Sequence, residues 1–418
     1  MTDIDNIPNE TPASEQPELS NIEAQNQNTP EITEDEMPAP TKPETSVSPA
    51  PHKKRRTLRL FITSFCITLL TLGALFALGV FIVARTVVPP EIPSIERPSV
   101  MPPRRPLPPH DNTGSTNTNN GDEYNPDEFL GYGLSAPERF TNDDRRDMFY
   151  TFLIIGLNEG TNANTIMVAS YDAITREAHL ISIPRDSLMN VNRRGRKLSS
   201  AYMVGALGGR GRTGGVAQMQ REVMTVIGFI PDFYVVIDYD AFFSIIDAVG
   251  GIEVYVPMRM RYTDPGQNLN IDIQPGLQHM DAQTALNFSR FRQGDPGFPS
   301  PPRGDYFRIE SQQAVISAVI SQLLRPANIL NIPEFANIFN ESVYTNLTIG
   351  NMLWFGAHLN HIRGTDALTS HTTPMLGTSG YPMWYEILNA PEIVSLVNRT
   401  INPFYHNIEL GDLNIITQ

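Results

Sequence analysis

The feature that most constrains this chain is an unbroken run of 25 residues, Leu60 to Ala84, without one charged side chain. At about 1.5 Å of rise per residue, such a run more than covers a hydrocarbon layer of about 30 Å as a single helix. A cleaved secretory signal has a shorter apolar stretch, about 7–15 residues, and lies at the very start of a chain. The run is therefore expected to be one transmembrane helix. Lys53, Lys54, Arg55, Arg56 and Arg59 precede it and Arg85 alone follows it. That asymmetry keeps the N-terminus cytoplasmic. The expected location is the cell membrane, single-pass, with everything from residue 86 extracellular.

Charge and composition divide the rest. Residues 1–50 carry eleven acids against Lys42 and are rich in Pro, Thr, Asn and Gln. Such a segment buries too little apolar surface to offset its chain entropy, so residues 1–52 read as a disordered acidic tail. Residues 53–85 form the basic flank and the helix. Residues 86–145 hold Pro89-Pro90, Pro102-Pro103, Pro108-Pro109 and the polar run Asn112 to Asn120, the composition of an extended spacer. The only cysteine is Cys66, which excludes a disulfide framework and a Cys-based zinc site. A net charge of −14 argues against a general nucleic-acid binder.

From about Met148 the pattern is that of a folded domain. Phe149 to Ile155, Thr165 to Ser170 and Glu177 to Ile183 read as strands, as do Phe233 to Ile237 and Ile252 to Val256. Helical spacing covers Gly215 to Ile227, Tyr239 to Val249, Asp281 to Phe291, Ile309 to Leu324 and Asn351 to Ile362. Strands apolar on both faces need cover on both faces. The expected fold is thus an α/β three-layer sandwich, a mixed sheet with helices on each side, its core in residues 146–325 and its completion in 326–418. The glycine-rich stretch Gly205 to Gly215 is followed by no Gly-Lys-Ser/Thr and reads as a mobile loop rather than a P-loop.

The chemistry lies in arginine. From residue 86 onward there are 23 arginines and one lysine, Lys197. Clusters occur at Arg185, at Arg193-Arg194-Arg196-Lys197, at Arg210 and Arg212, at Arg290 and Arg292, and at Arg303 and Arg308. Paired guanidinium N–H groups match phosphate oxygens, so these groups favour a phosphorylated ligand. Arg185 follows a strand, the end at which open α/β sheets bind ligands. Arg290 and Arg292 flank Phe291 at the spacing that lets two guanidinium groups grip one anion while Phe291 enters the core. Asp305 and Arg308 share a side of one helical turn, where Asp305 can also serve as an N-cap. No Gly-x-Ser-x-Gly elbow or His-Glu-x-x-His pair is present, and His279 and His361 read as surface or core residues.

In order, Ile181-Ser182-Ile183-Pro184-Arg185-Asp186, Lys197 with Ala201-Tyr202, the stretch Ile237 to Pro257, Ala285 to Arg292, and Arg303-Gly304-Asp305 with Arg308 and Gln312-Gln313 resemble the extracellular domain of the LytR-CpsA-Psr family. The resemblance implies a cell-envelope phosphotransferase. Such proteins move a glycopolymer, a teichoic acid or capsule, from a polyprenyl pyrophosphate onto peptidoglycan and release polyprenyl phosphate. By position, Arg185, Arg290, Arg292 and Arg308, with Lys197, would bind the pyrophosphate. Arg185, Asp305 and Arg308 would be catalytic, Asp305 as an orienting group or proton acceptor. The implied partners are the glycan lipid, peptidoglycan and the membrane, with no nucleic acid.

Two positions depart from the family pattern. Its magnesium-binding aspartates, one after the first strand and one before the second, correspond to Asn158 and Asn164 here, beside Glu159. An amide oxygen can ligate Mg2+ but brings no charge. Ser311 stands where the family often has arginine. A second reading follows, in which the chain binds polyprenyl pyrophosphate or cell wall as a catalytically weak or inactive scaffold.

Overall fold

The computed structural model describes residues 63–65, 67–74, 88–93, 141–158, 161–193, 195–325, 328, 332–359, 368–378 and 384–416. It forms two compact units, Met1–Ala74 and Leu75–Gln418. In the first, residues 63–65 and 67–74 are helical. No helix among the described residues is long and apolar enough to cross a membrane. The acidic tail, the remainder of the expected membrane span and most of the spacer lie outside the described residues.

The second unit is built on a six-stranded mixed sheet. β1 (Phe149–Leu157) and β2 (Ala163–Asp172) form an antiparallel pair, and β3 (Glu177–Ser182) continues antiparallel to β2. The chain then passes through α1 (Ala201–Ala206) and α2 (Gly211–Ile227) before β4 (Phe233–Ile237) lies parallel to β1 on its other side. After α3 (Tyr239–Ala248), β5 (Ile252–Val256) pairs with β8 (Gly276–Met280), and β6 (Met260–Asp264) pairs with β7 (Leu269–Ile273). Next come α4 (Ala282–Arg290), α5 (Gly304–Leu323), α6 (Ile332–Ser342), β9 (Tyr344–Thr345), α7 (Ile349–Leu359) and β10 (Leu368–Thr372). β11 (Met375–Thr378), β12 (Glu386–Leu388) and α8 (Ala390–Thr400) follow. The sheet order is β10-β3-β2-β1-β4-β9.

Both faces of the sheet are covered, as the continuous apolar runs require. Leu153 and Ile155 of β1, with Ile166, Val168 and Ile181, pack against α2 and α8. The alternate residues Tyr150 and Phe152, with Phe233 and Val235, pack against α3 and α7. A third cluster joins β5, β7, α4 and α5 around Ile252, Ile271, Phe288, Phe291 and Val315. Where the chain enters the sheet, Arg145 meets the buried carboxylate of Asp232 at 2.8 Å, and Asp232 also accepts from the Thr151 amide and hydroxyl at 2.9 and 2.7 Å. The next residue, Arg146, reaches Asp172 at 2.7 Å.

Two expectations need correction. The stretch Gly205 to Gly215 is only in part a loop: Gly205 lies in the last turn of α1, Leu207 to Arg210 form a turn, and Gly211 to Gly215 open α2. Low glycine propensity is outweighed by a close helix crossing, because a Cβ on Gly205 would lie 2.2 Å from the Gly214 carbonyl and one on Gly214 would lie 2.3 Å from the Gly205 carbonyl. Similarly, the helix expected from Ile309 starts earlier, so that Asp305-Tyr306-Phe307-Arg308 form its first turns with Asp305 and Arg308 on one side. α5 begins at Gly304, its N-cap is Arg303, and Asp305 caps nothing there.

The crossing predicts that Gly205→Ala and Gly214→Ala each destabilise by about 1–3 kcal/mol through forced separation of α1 and α2. Gly350→Ala, whose Cβ would meet nothing nearer than 3.7 Å, is the control and should leave the melting temperature unchanged or slightly raised. Thermal denaturation of the three variants checks this, and equal melting temperatures would refute the close-packing account.

Candidate functional site

The parallel strands β1 and β4 end side by side, Gly156 opposite Ile237. Beyond them lies a cavity of about 430 Å³. Its apolar walls are Ile154, Leu157, Ile237, Phe242, Leu269, Leu286, Val315 and Ile316; its polar lining is Asn158, Asn164, Asp238, Gln312, Arg185, Arg290, Arg292 and Arg308. Four arginines from three separate segments therefore reach one cavity.

Each is delivered by identifiable local structure. Arg185 lies in the turn after β3, where Asn164 of β2 accepts a hydrogen bond from its Nη1 at 2.7 Å. Arg290 closes α4, whose start is capped by Asp281 accepting from the Thr284 amide at 2.8 Å. Phe291 is extended and buried, with its ring edge-on to Phe307 at 6.1 Å, so the residues on either side are free to reach the cavity. Arg292 is brought beside the start of α5 by Gly304, where a Cβ would sit 2.2 Å from the Arg292 carbonyl. Arg308 follows one turn later. Gln313 ties that helix to the sheet, donating to Ser182 at 2.9 Å and to the His371 carbonyl at 2.8 Å.

The electrostatics are those of an anion site. Arg308 is buried, with Asp305 at 3.5 Å as a half-exposed partner. Burial, Arg185 and Arg292 together pull its guanidinium down to about 10, against the opposing pull of Asp305. The Nε atoms of Arg185 and Arg308 are buried and have no hydrogen-bond partner among the described residues, a feature shared with Arg145 of the Asp232 pair. The nearest charge to Arg185 Nε, Asp186, is 3.9 Å away.

Around this cavity the other candidates fall on its flanks. Lys197 does not line it. It pairs with Asp186 at 3.0 Å and borders a second, polar cavity of about 370 Å³ with Asn158, Asn162, Asn164, Arg185, Ser199 and Ser200. Asp305 borders a narrow recess with Arg185, Asp186, Arg308 and Glu386. Glu386 escaped sequence reasoning, since it lies on a three-residue strand with no motif. Its backbone pairs with the turn holding Arg185, its amide donating to the Asp186 carbonyl at 3.0 Å, and burial holds its carboxyl above the usual range. Tyr239, beneath the Arg290 guanidinium at 5.7 Å, was also missed. Several clustered arginines serve the fold instead. Arg193 grips the fully buried Glu222 and the carbonyls of Gly195 and Lys197, while Arg212 pairs with Asp238 at 3.4 Å. Ser311 is buried and donates to the Phe307 carbonyl.

Magnesium does not fit the donors present. Among the described residues there is no group of three His, Cys, Asp or Glu side chains able to hold a metal. Asn164 has its oxygen turned to Arg185, and Glu159 lies outside the described residues. Asp238, the acid lining the main cavity, caps α3 by accepting from the Ala241 amide.

The family model for the LytR_cpsA_psr family matches residues 129–402. This chain belongs to that family. Regulatory protein MsrR of Staphylococcus aureus (strain COL) is 24% identical over 242 residues, which is 57% of this LytR-CpsA-Psr chain and 68% of MsrR. TagV of Bacillus subtilis (strain 168), a polyisoprenyl-teichoic acid–peptidoglycan teichoic acid transferase, is 29% identical over 195 residues, 45% of each chain. The crystal structure of TagV matches with a TM-score of 0.50 at 21% identity, over 61% of this chain and 96% of that one, a likeness of fold.

The crowded arginines predict a trade of stability for binding. Arg308→Met should raise the melting temperature of the ligand-free protein by about 2–4 °C, the size expected for a gain of about 1 kcal/mol. It should also abolish the stabilisation that inorganic pyrophosphate gives the native protein in thermal-shift measurements. A variant that melts lower than the native chain would mean Arg308 is held by the fold's own carboxylates and not for an anion.

Proposed function

We propose that this LytR-CpsA-Psr protein is a phosphotransferase that moves a glycopolymer from a polyprenyl pyrophosphate to peptidoglycan. The observation that carries this reading is the meeting of Arg185, Arg290, Arg292 and Arg308 on one cavity that also has an apolar wall of Ile154, Leu157, Ile237, Phe242, Leu286 and Ile316. Guanidinium groups match the oxygens of a pyrophosphate, and the walls of Ile154, Phe242, Leu286 and Ile316 suit a hydrocarbon chain. The polar cavity bordered by Asn162, Lys197, Ser199 and Ser200 shares Arg185 with the first, and would admit a sugar hydroxyl to the same phosphate.

In this reading the acceptor hydroxyl attacks the glycan-side phosphorus, forming a new phosphodiester. The bond from that phosphorus to the bridging oxygen breaks, and polyprenyl phosphate leaves with the electron pair. Asp305, reaching the site from the adjoining recess it shares with Arg185 and Arg308, orients Arg308 or takes the hydroxyl proton. The arginines bear the charge that builds on the non-bridging and leaving oxygens, the term that usually dominates such catalysis. Membrane anchoring by Leu60 to Ala84, with the domain outside the cell, belongs to the same proposal and would hold the site near its lipid substrate.

The amides at Asn158 and Asn164, where the family pattern has carboxylates, favour the second reading, a scaffold that binds the lipid without turnover. One preparation separates the two. The full chain in detergent, given a polyprenyl-pyrophosphate glycan and peptidoglycan, should release polyprenyl phosphate, and Arg185→Ala should cut that rate by about 10²–10³-fold. Tight lipid binding with no release would establish the scaffold instead.

A further inference from the structure

We infer that this site holds its diphosphate without a divalent cation, and that Asn164 is the positioning residue that makes it a site built from arginines alone. The inference rests on the pyrophosphate reading above. Its basis is the direction of one side-chain amide. Arginine can only donate, so the 2.7 Å contact between Arg185 Nη1 and Asn164 fixes the amide oxygen toward the guanidinium. What Asn164 then turns elsewhere is its NH2 group, a donor. A carboxylate at this place would bond Arg185 with one oxygen and keep the other for a cation. The amide oxygen, uncharged and already accepting from Arg185, offers a cation much less than a carboxylate would, and the amide adds a donor for phosphate oxygen.

Charge balance points the same way. A diphosphate diester carries one negative charge on each phosphate, and four guanidinium groups line the cavity. A divalent ion would add further positive charge beside Arg308, which burial and its arginine neighbours already disfavour as a cation. The nearby carboxylates are engaged: Asp186 with Lys197 at 3.0 Å, Asp305 with Arg308 at 3.5 Å, and Asp238 with Arg212 at 3.4 Å.

The test measures binding rather than turnover. The full chain in detergent is titrated with a polyprenyl-pyrophosphate-linked glycan, the diester itself, without peptidoglycan, in excess EDTA and again in excess magnesium, and the same is done for Asn164→Asp. The native chain should bind with affinities that agree within about threefold in the two buffers, whereas Asn164→Asp should lose about tenfold or more in EDTA and recover it with magnesium. That swap is isosteric and keeps an acceptor for Arg185, so the fold is retained. A native affinity that collapses in EDTA, or an Asn164→Asp chain that binds like the native one without magnesium, overturns the inference. Failure to bind in either buffer overturns the pyrophosphate reading itself, and this inference with it.

Discussion

Everything at this site depends on holding like charges together. Arg185 and Arg292 both act against the charge on Arg308 in a partly desolvated cleft. The carboxylates facing them among the described residues stand off, Asp305 at 3.5 Å from Arg308 and Asp186 at 3.9 Å from Arg185 Nε. The fold carries that burden through backbone geometry. A buried phenylalanine divides Arg290 from Arg292, a glycine lets the Arg292 carbonyl press against the start of α5, and Gln313 fixes α5 to β3 and β10. The sheet supplies the rest by ending its two parallel central strands beneath the cavity. Like charges gathered in this way favour an anion between them.

Much of this was legible in the residues. Phe233–Ile237 and Ile252–Val256 are the strands that their apolar patterns mark, and the arginines in motif segments do meet. Other features were hidden for physical reasons. Gly205 and Gly214 look like loop residues because helix propensity is local, whereas the crossing that needs them is tertiary. Arg193 and Lys197 are neighbours in sequence, yet one points inward to Glu222 and the other outward to Asp186, a difference that charge clustering cannot reveal. Glu386 reaches the site through a three-residue strand, too short to leave a periodic signal.

The two asparagines show how a single atom redirects a site. Asn158 and Asn164 border both cavities, and the amide at Asn164 spends its acceptor on Arg185. The change from carboxylate to amide removes a negative charge and supplies a donor. The family fold is kept with amides at both of these places. Kinship with a teichoic acid transferase and with a protein described as regulatory is consistent with one scaffold tuned in such ways.

The knot of Arg145, Asp232 and Thr151 at the entrance to β1 has a mechanical consequence. β1 lies inside the sheet, bonded to β2 along one side and β4 along the other. Tension on the chain ahead of residue 141 is delivered through that knot to a central strand, and must slide it against two neighbours at once. It cannot peel the sheet open from an edge. A pull from the N-terminal side thus loads β1 along both of its bonded flanks, at the end of the strand opposite the cavity.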